Sequence, residues 1–138
     1  MILHLNAKPD EVMRAVEALW EFGRTKGVPE KALFGLALAL EECGSNIVNH
    51  ALKGDPSQRF QASIDYTANA VTIELRDRGP AFDPTQHRRV APRSQEEQTG
   101  GWGIQLVRHY LDEIRYERRD GENVLQLTKH VVQEASRL

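Results

Sequence analysis

The stretch ALFGLALALEECGSNIVNHAL, residues 32–52, decides the fold of this chain. Its apolar residues recur at steps of three and four, the spacing of one face of an α-helix. These positions are Leu33, Leu36, Leu40, Cys43, Ile47 and Ala51. Helix-breaking residues occur in KGVPE before the stretch and in KGDPSQ after it. We therefore predict a helix from about Pro29 to Leu52, packed against a core.

The same helix carries polar residues on its other side. Because each helical residue advances by about 100°, Glu42, Asn46, Asn49 and His50 are expected to project away from the apolar stripe. An ordinary solvated face is one interpretation. The alternative is a ligand site, because a carboxylate and an amide one turn apart offer oxygen ligands to Mg²⁺, or a base beside a metal ligand. This segment alone leaves both open.

The flanking segments predict an α+β fold. ILHLN alternates like a short strand, and apolar spacing indicates a helix over about residues 9–26. Alternation on both sides of TANA predicts one hairpin, and Asp120-Gly121 predicts another. A further helix is expected directly after the glycines of GGWG. The order β-α-α-β-β-loop-α-β-β predicts a two-layer α/β sandwich, with a mixed sheet and the helices on one face.

Length and composition limit the classes of function. The chain has 138 residues, which predicts a single domain over 1–138, and a net charge of −2 lacks the basic excess of a nucleic-acid-binding protein. The longest near-apolar run, ALFGLALAL, has nine residues and is too short to span a membrane. The single cysteine, Cys43, fits a reducing compartment. We expect a cytoplasmic protein that binds neither nucleic acid nor membrane.

Two glycine-containing motifs follow the helix. In DRGPAFD, residues 77–83, Asp77 ends a predicted strand, where its carboxylate can accept a hydrogen bond from an exocyclic amine. Gly79 lets a planar ring approach the backbone; the alternative is an ordinary surface turn. In TGGWGIQLV, glycines lead into a predicted helix whose free N–H groups could hold a phosphate. A flexible helix entry is the alternative here.

Taken together, the motifs and their order resemble the Bergerat-fold ATP-binding domain of the GHKL superfamily. EECGSNIVNH is similar to the N box of that family, DRGPAFD to the first glycine box and GGWG to the second, with the ATP lid between the glycine boxes. The compact chain and the ending GGWGIQLVRHYLDEIRYERRDGENVLQLTKH resemble the branch of anti-sigma-factor serine/threonine kinases. The resemblance covers about residues 8–131.

The resemblance implies a role for individual residues. Glu42 would help to activate the acceptor hydroxyl, with Glu41 the weaker candidate, and Asn46 would bind Mg²⁺. Asp77 would contact the adenine amino group, with Gly79 beside the ring. The full set of implied nucleotide-binding residues is Asn46, Asn49, His50, Asp77, Gly79, Ala81, Thr99, Gly100, Gly101, Trp102, Gly103 and Ile104.

One position departs from the family pattern, and the basic residue of the lid is not assigned to a single position. Ala81 stands where the first glycine box often has a second glycine. Arg88, Arg89 and Arg93 are candidates for a γ-phosphate contact, although a solvated lid surface explains each of them as well.

The implied function is an ATP- and Mg²⁺-dependent serine/threonine protein kinase that acts as an anti-sigma factor. Its implied substrate is a STAS-domain anti-anti-sigma protein, a sigma factor is an implied second partner, and family analogy suggests a homodimer. The alternative is a nucleotide-gated binding module of the same fold, which binds ATP or ADP and a partner protein without phosphoryl transfer.

Overall fold

The computed structural model describes residues 1–86 and 95–131, and within residues 95–102 it describes the backbone alone. These residues contain five strands and three α-helices in the predicted order. The elements are β1 Ile2–Asn6, α1 Pro9–Lys26, α2 Glu30–Asn46, β2 Arg59–Thr67, β3 Ala70–Asp77, α3 Gln95–Tyr110, β4 Glu113–Arg119 and β5 Glu122–His130. The α+β fold is thus confirmed.

Local sequence explains the limits of α1. Pro9 stands at the start, where the N–H that proline lacks would have no helical partner. Asp10 and Glu11 place negative charge near the positive end of the helix dipole. Gly27 ends the helix in the left-handed conformation, with φ of 77°, and its N–H bonds back to the Arg24 carbonyl.

The sheet has the strand order β1-β2-β3-β5-β4, and all of its pairings are antiparallel. The expectation of a mixed sheet was therefore wrong in that detail. After α3 the chain enters the sheet at its edge as β4, and the following hairpin returns β5 between β4 and β3. Because β5 lies between β3 and β4, which run in the same direction, those two strands do not pair, and no parallel pair forms.

Both predicted hairpins are present, and each turns on two residues with positive φ. Ala68 and Asn69 have φ of 51° and 60°, and Asp120 and Gly121 have φ of 53° and 77°. Two successive positive φ values are the mark of the type I′ turn, whose twist matches that of the flanking strands.

The core lies between the helices and one face of the sheet. Alternate residues of β2 and β3 are buried, while the opposite face carries charged side chains such as Glu74 and Arg76. The largest fully buried side chains are Leu5, Leu19, Leu33, Leu36, Leu40, Ile64, Ile73, Leu75, Leu127, Val71, Val107 and Cys43. Helices long and apolar enough to cross a membrane are absent from the described residues.

Two helix boundaries differ from the prediction. The α-helical part of α2 stops at Asn46, and the chain continues as a π-helical segment, Ile47–Ala51. Helix α3 begins at Gln95, ahead of the glycines, although we expected it to begin after them. Gly101 and Gly103 therefore lie within a helix. A helix can contain them because each glycine costs only about 1 kcal/mol relative to alanine, which neighbouring turns can offset.

Candidate functional site

The end of α2 presents its polar residues as the sequence predicts, up to Asn46. Cys43 and Ile47 are buried against the core, while Glu42 and Asn46 are half-buried and Asn49 is exposed. Burial raises the pKa of the Cys43 thiol to about 12, which marks it as a core residue and not a reactive thiolate. Beyond Asn46 the chain is π-helical, so the α-helical spacing on which the prediction was based does not apply to Asn49 and His50.

The carboxylate of Asp77 is buried at the end of β3, with an exposure of 4%. Its Oδ1 accepts hydrogen bonds from the backbone N–H of Gly79 and from Nδ2 of Asn123, both at 2.9 Å. No described residue donates a hydrogen bond to Oδ2. Buried side-chain nitrogen or oxygen atoms without a hydrogen-bond partner are absent from the described part of the chain. Within the described residues, Oδ2 is therefore the oxygen that could accept from a donor outside the protein.

Asn123 organises the loop that follows Asp77, and the sequence analysis missed it. Its Nδ2 also donates to the Pro80 carbonyl at 2.9 Å, and its Oδ1 accepts from the Phe82 N–H at 3.1 Å and from the Tyr116 hydroxyl. With an exposure of 3%, it is one of two buried polar residues in the described chain, Asp77 being the other. The pair is directly opposite in the β3–β5 register.

Arg118 is a second residue that the sequence did not reveal. Its guanidinium donates to the Gly79 carbonyl at 2.7 Å and to Oδ1 of Asn123 at 3.2 Å. The loop is thus held by hydrogen bonds from β4 and β5. The Asp120-Gly121 turn signal that predicts this hairpin could have drawn attention to both residues, because the turn fixes Arg118 opposite Asn123.

The Asp77 loop contacts the π-helical segment of the N box at two points. A Cβ added to Gly79 would lie 2.5 Å from the backbone carbonyl oxygen of Ala51, so glycine is needed for this close approach. The His50 ring stacks on Phe82, with ring centres 5.6 Å apart and an angle of 15° between planes. The Asp77 loop and the π-helical segment Ile47–Ala51 therefore form one packed unit.

The second glycine box contacts the N box through Glu42. A Cβ added to Gly103 would overlap the Glu42 carboxylate, so the acid lies directly against the helix backbone there. Hydrogen bonds and ion pairs to the Glu42 carboxylate are absent among the residues that the structure describes. Burial, and next the negative charge of Glu41, raise the pKa of Glu42 above its usual range.

The pKa of Asp77 is also raised, for a related reason. Burial disfavours the charged form, and the hydrogen bonds from Asn123 and Gly79, with the positive charge of Arg118, offset part of that effect. The two candidate carboxylates thus share a desolvated environment but differ in their described partners. Asp77 accepts hydrogen bonds from Gly79 and Asn123, and none of the described residues donates one to Glu42.

The remaining predicted residues fall into two groups. Ala81 is exposed and Ile104 is half-buried. The side chains of Thr99 and Trp102 lie outside the described part of the chain. Of Gly100 and Gly101, the structure describes the backbone conformation alone. The lid candidates Arg88, Arg89 and Arg93 lie outside the described residues altogether.

The site residues fit a magnesium nucleotide in part. The free Oδ2 of Asp77 is a suitable acceptor for the amino group of a purine. No group of three or more His, Cys, Asp and Glu residues in the described chain could hold a metal alone. Mg²⁺ is commonly held by one or two protein oxygens together with substrate phosphates and water, and the amide oxygen of Asn46 could supply one such ligand.

The chain is similar to known ATPase domains and kinases. Residues 5–129 match the family model described as the histidine kinase-like ATPase domain. Serine/threonine-protein kinase BtrW of Bordetella bronchiseptica is 36% identical over 104 residues, which cover 74% of this chain and 73% of the relative. Serine-protein kinase RsbW of Listeria innocua is 25% identical over 135 residues, covering 94% and 85%.

Solved structures share the fold at lower sequence identity. The RsbU and RsbW domains of a Mycobacterium tuberculosis protein match with a TM-score of 0.64 at 18% identity, covering 98% of this chain and 34% of that one. The SiaB–SiaC complex from Pseudomonas aeruginosa matches with a TM-score of 0.63 at 13% identity, covering 96% and 89%. With the fold, the packed glycine box and the sequence match in agreement, the chain belongs to the histidine kinase-like ATPase domain family.

Proposed function

We propose that this protein is an ATP-dependent serine/threonine protein kinase that acts as an anti-sigma factor. The observation that carries the proposal is Glu42, a half-buried carboxylate with a raised pKa, one helical turn before Asn46 and on the same helix that packs against the Asp77 loop. The similarity to protein kinases BtrW and RsbW supports the same activity. The proposal treats residues 1–138 as one catalytic domain.

Nucleotide recognition is assigned to the Asp77 loop. Oδ2 of Asp77 is suited to accept a hydrogen bond from the adenine amino group, while Asn123 and Gly79 hold Oδ1 and fix the orientation of the carboxylate. A preformed acceptor of this kind lowers the ordering cost of binding. ATP bound with Mg²⁺ would supply the phosphoryl group and neutralise the charge of the phosphates.

Glu42 is assigned the role of general base. A carboxylate with a raised pKa holds a proton more readily than an ordinary glutamate, and it is therefore better suited to accept one from a serine or threonine hydroxyl. In the transfer, the hydroxyl oxygen gains the phosphoryl group, ADP leaves, and the hydroxyl proton passes to Glu42. The absence of any described hydrogen-bonding partner leaves the carboxylate available for this contact.

The proposed substrate is a serine or threonine on a STAS-domain anti-anti-sigma protein, with a sigma factor as the second partner. Phosphorylation adds about 1.5 to 2 negative charges and up to three strong acceptors to the substrate. Such a change would weaken its complex with the kinase and leave the kinase free for the sigma factor. We also propose a homodimer, by family analogy.

One observation favours a second candidate, a nucleotide-gated binding module without transfer. In this conformation α3 runs through Gly101 and Gly103, so their N–H groups lie inside a helix and do not form its free N-terminus. A kinase would need these groups, or others, at the phosphates. The binding module would retain nucleotide binding through Asp77 while lacking transfer.

The deciding experiment is incubation of the full chain with Mg²⁺, ATP labelled at the γ-phosphate and each STAS-domain protein of the same genome. We expect label on one serine or threonine of one STAS protein, lost when that residue is changed to alanine. ATP binding by calorimetry without label on any of these proteins would instead establish the binding module.

A further inference from the structure

A cavity of about 460 Å³ lies at the end of the molecule opposite the Asp77 loop. It forms where α2 begins and where α3 and β5 end. Its lining consists of Pro29, Lys31, Ala32, His109, Tyr110, Lys129, His130 and Val131. Six strand positions separate Lys129 from Asn123 on β5, a span of about 20 Å at the usual rise per residue. The cavity is therefore separate from the proposed nucleotide site.

The apolar walls of the cavity are built by packed residues. Ala32 and Val131 are 8% and 4% exposed. The Tyr110 ring meets Phe34 edge to face at 5.9 Å and His109 at 5.1 Å between ring centres. Contacts of this geometry hold a ring in place, so the cavity presents a fixed aromatic surface to a ligand.

The polar part of the lining is cationic or neutral. Lys31 and Lys129 contribute positive charge, and acidic side chains are absent from the described lining. Among the described residues, Lys129 pairs with Asp112, with Nζ and Oδ2 3.9 Å apart. That same Oδ2 accepts the backbone N–H of His130 at 2.7 Å. At this distance the ion pair is weak and leaves Lys129 able to bind another anion.

We propose that this cavity binds a small organic anion with a flat apolar body. The body lies against Tyr110, Ala32 and Val131, and the acidic group lies between Lys31 and Lys129. The volume falls within the range of about 300–1,000 Å³ that is usual for small-molecule sites, and the combination of apolar walls with a few charged groups is typical of them. This site is independent of the proposed kinase activity.

The probe for this proposal is anilinonaphthalene sulfonate, an aromatic anion whose fluorescence rises in apolar surroundings. Titrated into the full chain, it is expected to bind saturably, and saturating ATP with Mg²⁺ should leave its affinity unchanged. The double variant Lys31→Gln/Lys129→Gln should weaken binding by about tenfold, as expected for two partly exposed charges. Lys8→Gln, a lysine outside the cavity, serves as the matched control. Neutral phenylnaphthylamine should bind at least about tenfold more weakly than the anion.

Nuclear magnetic resonance locates the bound probe. We expect the imidazole signals of His109 and His130 to shift on addition of the sulfonate, and those of His4 and His50 to stay in place. Displacement of the probe by ATP, shifts at His50, or equal binding by the double variant would each overturn the proposal. So would equal affinity for the neutral probe.

Discussion

Gly79 and Gly103 both lie where a side chain has no room, but what limits the space differs. At Gly79 the obstacle is the backbone carbonyl of Ala51, while at Gly103 it is the carboxylate of Glu42. A backbone atom in a packed segment cannot yield, whereas the end of a glutamate side chain can rotate away. The first side of the site, built around Asp77, is therefore fixed by packing and hydrogen bonds. The second side, built around Glu42, can rearrange.

This contrast has a functional meaning under the proposed activity. Recognition of a base benefits from an acceptor that is already oriented, which Asn123 and Gly79 provide for Asp77. Activation of an incoming hydroxyl needs a carboxylate that can meet a partner not yet present, and Glu42 is unrestrained by any hydrogen bond from the described residues.

Glu42→Gln carries the largest expected effect. The amide keeps the shape of the side chain but cannot take the hydroxyl proton, so we expect phosphoryl transfer to fall by about 10²–10⁴-fold. ATP affinity should stay within about twofold. Labelled transfer and calorimetry measure the two quantities, with Glu17→Gln, an exposed glutamate of α1, as the control. Transfer at the wild-type rate would remove Glu42 from the mechanism.

Asp77→Asn should weaken nucleotide binding while the chain stays folded. The new amide oxygen can still accept from Asn123 and Gly79, but the group replacing Oδ2 donates where adenine also donates. The variant loses a charged hydrogen bond and places its amide NH₂ against the adenine amino group. Together these effects should weaken ATP binding by about 30- to 150-fold. Calorimetry measures the affinity, and Asp65→Asn on the outer face is the control. Unchanged affinity would refute the adenine assignment.

The two glycines allow a direct test of the difference in rigidity. Gly79→Ala should lower the free energy of unfolding by about 1–3 kcal/mol, because the Ala51 backbone must shift. Gly103→Ala should leave it unchanged or raise it by up to about 1 kcal/mol, since Glu42 can move and alanine favours the helix. Urea denaturation of both variants measures the effect. Equal losses would show that the two sides are equally rigid.

The pH dependence of stability gives the smallest effect. Because the folded-state pKa of Asp77 is raised, this group contributes stability that is fully present below its unfolded pKa of about 3.9. That contribution is lost as pH rises through the folded pKa. The wild type should therefore lose stability relative to Asp77→Asn between pH 3.5 and pH 7. The difference in unfolding free energy should change by about 1.4 kcal/mol for each unit by which the folded pKa of Asp77 exceeds the unfolded pKa. A constant difference in urea denaturation would contradict this.

The sequence predicts what depends on local periodicity and turn chemistry. The stripe through Leu33 and Cys43 predicts α2, and Asp120-Gly121 predicts the second hairpin. Both follow from spacings of a few residues. The outward position of Glu42 and Asn46 follows from the same helical spacing.

What the sequence does not reveal depends on contacts between distant segments. Asn123 looks like part of a turn until the β3–β5 register places it opposite Asp77. The approach of Gly79 to Ala51 joins segments that are 28 positions apart. The early start of α3 was missed because glycine has a low helix propensity, and a cluster of glycines is usually taken as a helix boundary. A strand order that makes every pairing antiparallel also lies beyond local pattern.

The contact between Gly79 and the Ala51 carbonyl has a consequence for protein engineering. Swapping nucleotide-recognition loops between related domains is a natural way to change their ligand preference. A transplanted loop after β3 would need a recipient whose chain follows the π-helical path of Ile47–Ala51. The reason is that Gly79 packs directly on the Ala51 backbone. The exchangeable module is therefore both segments together, with Asn123 of the neighbouring strand as its third part.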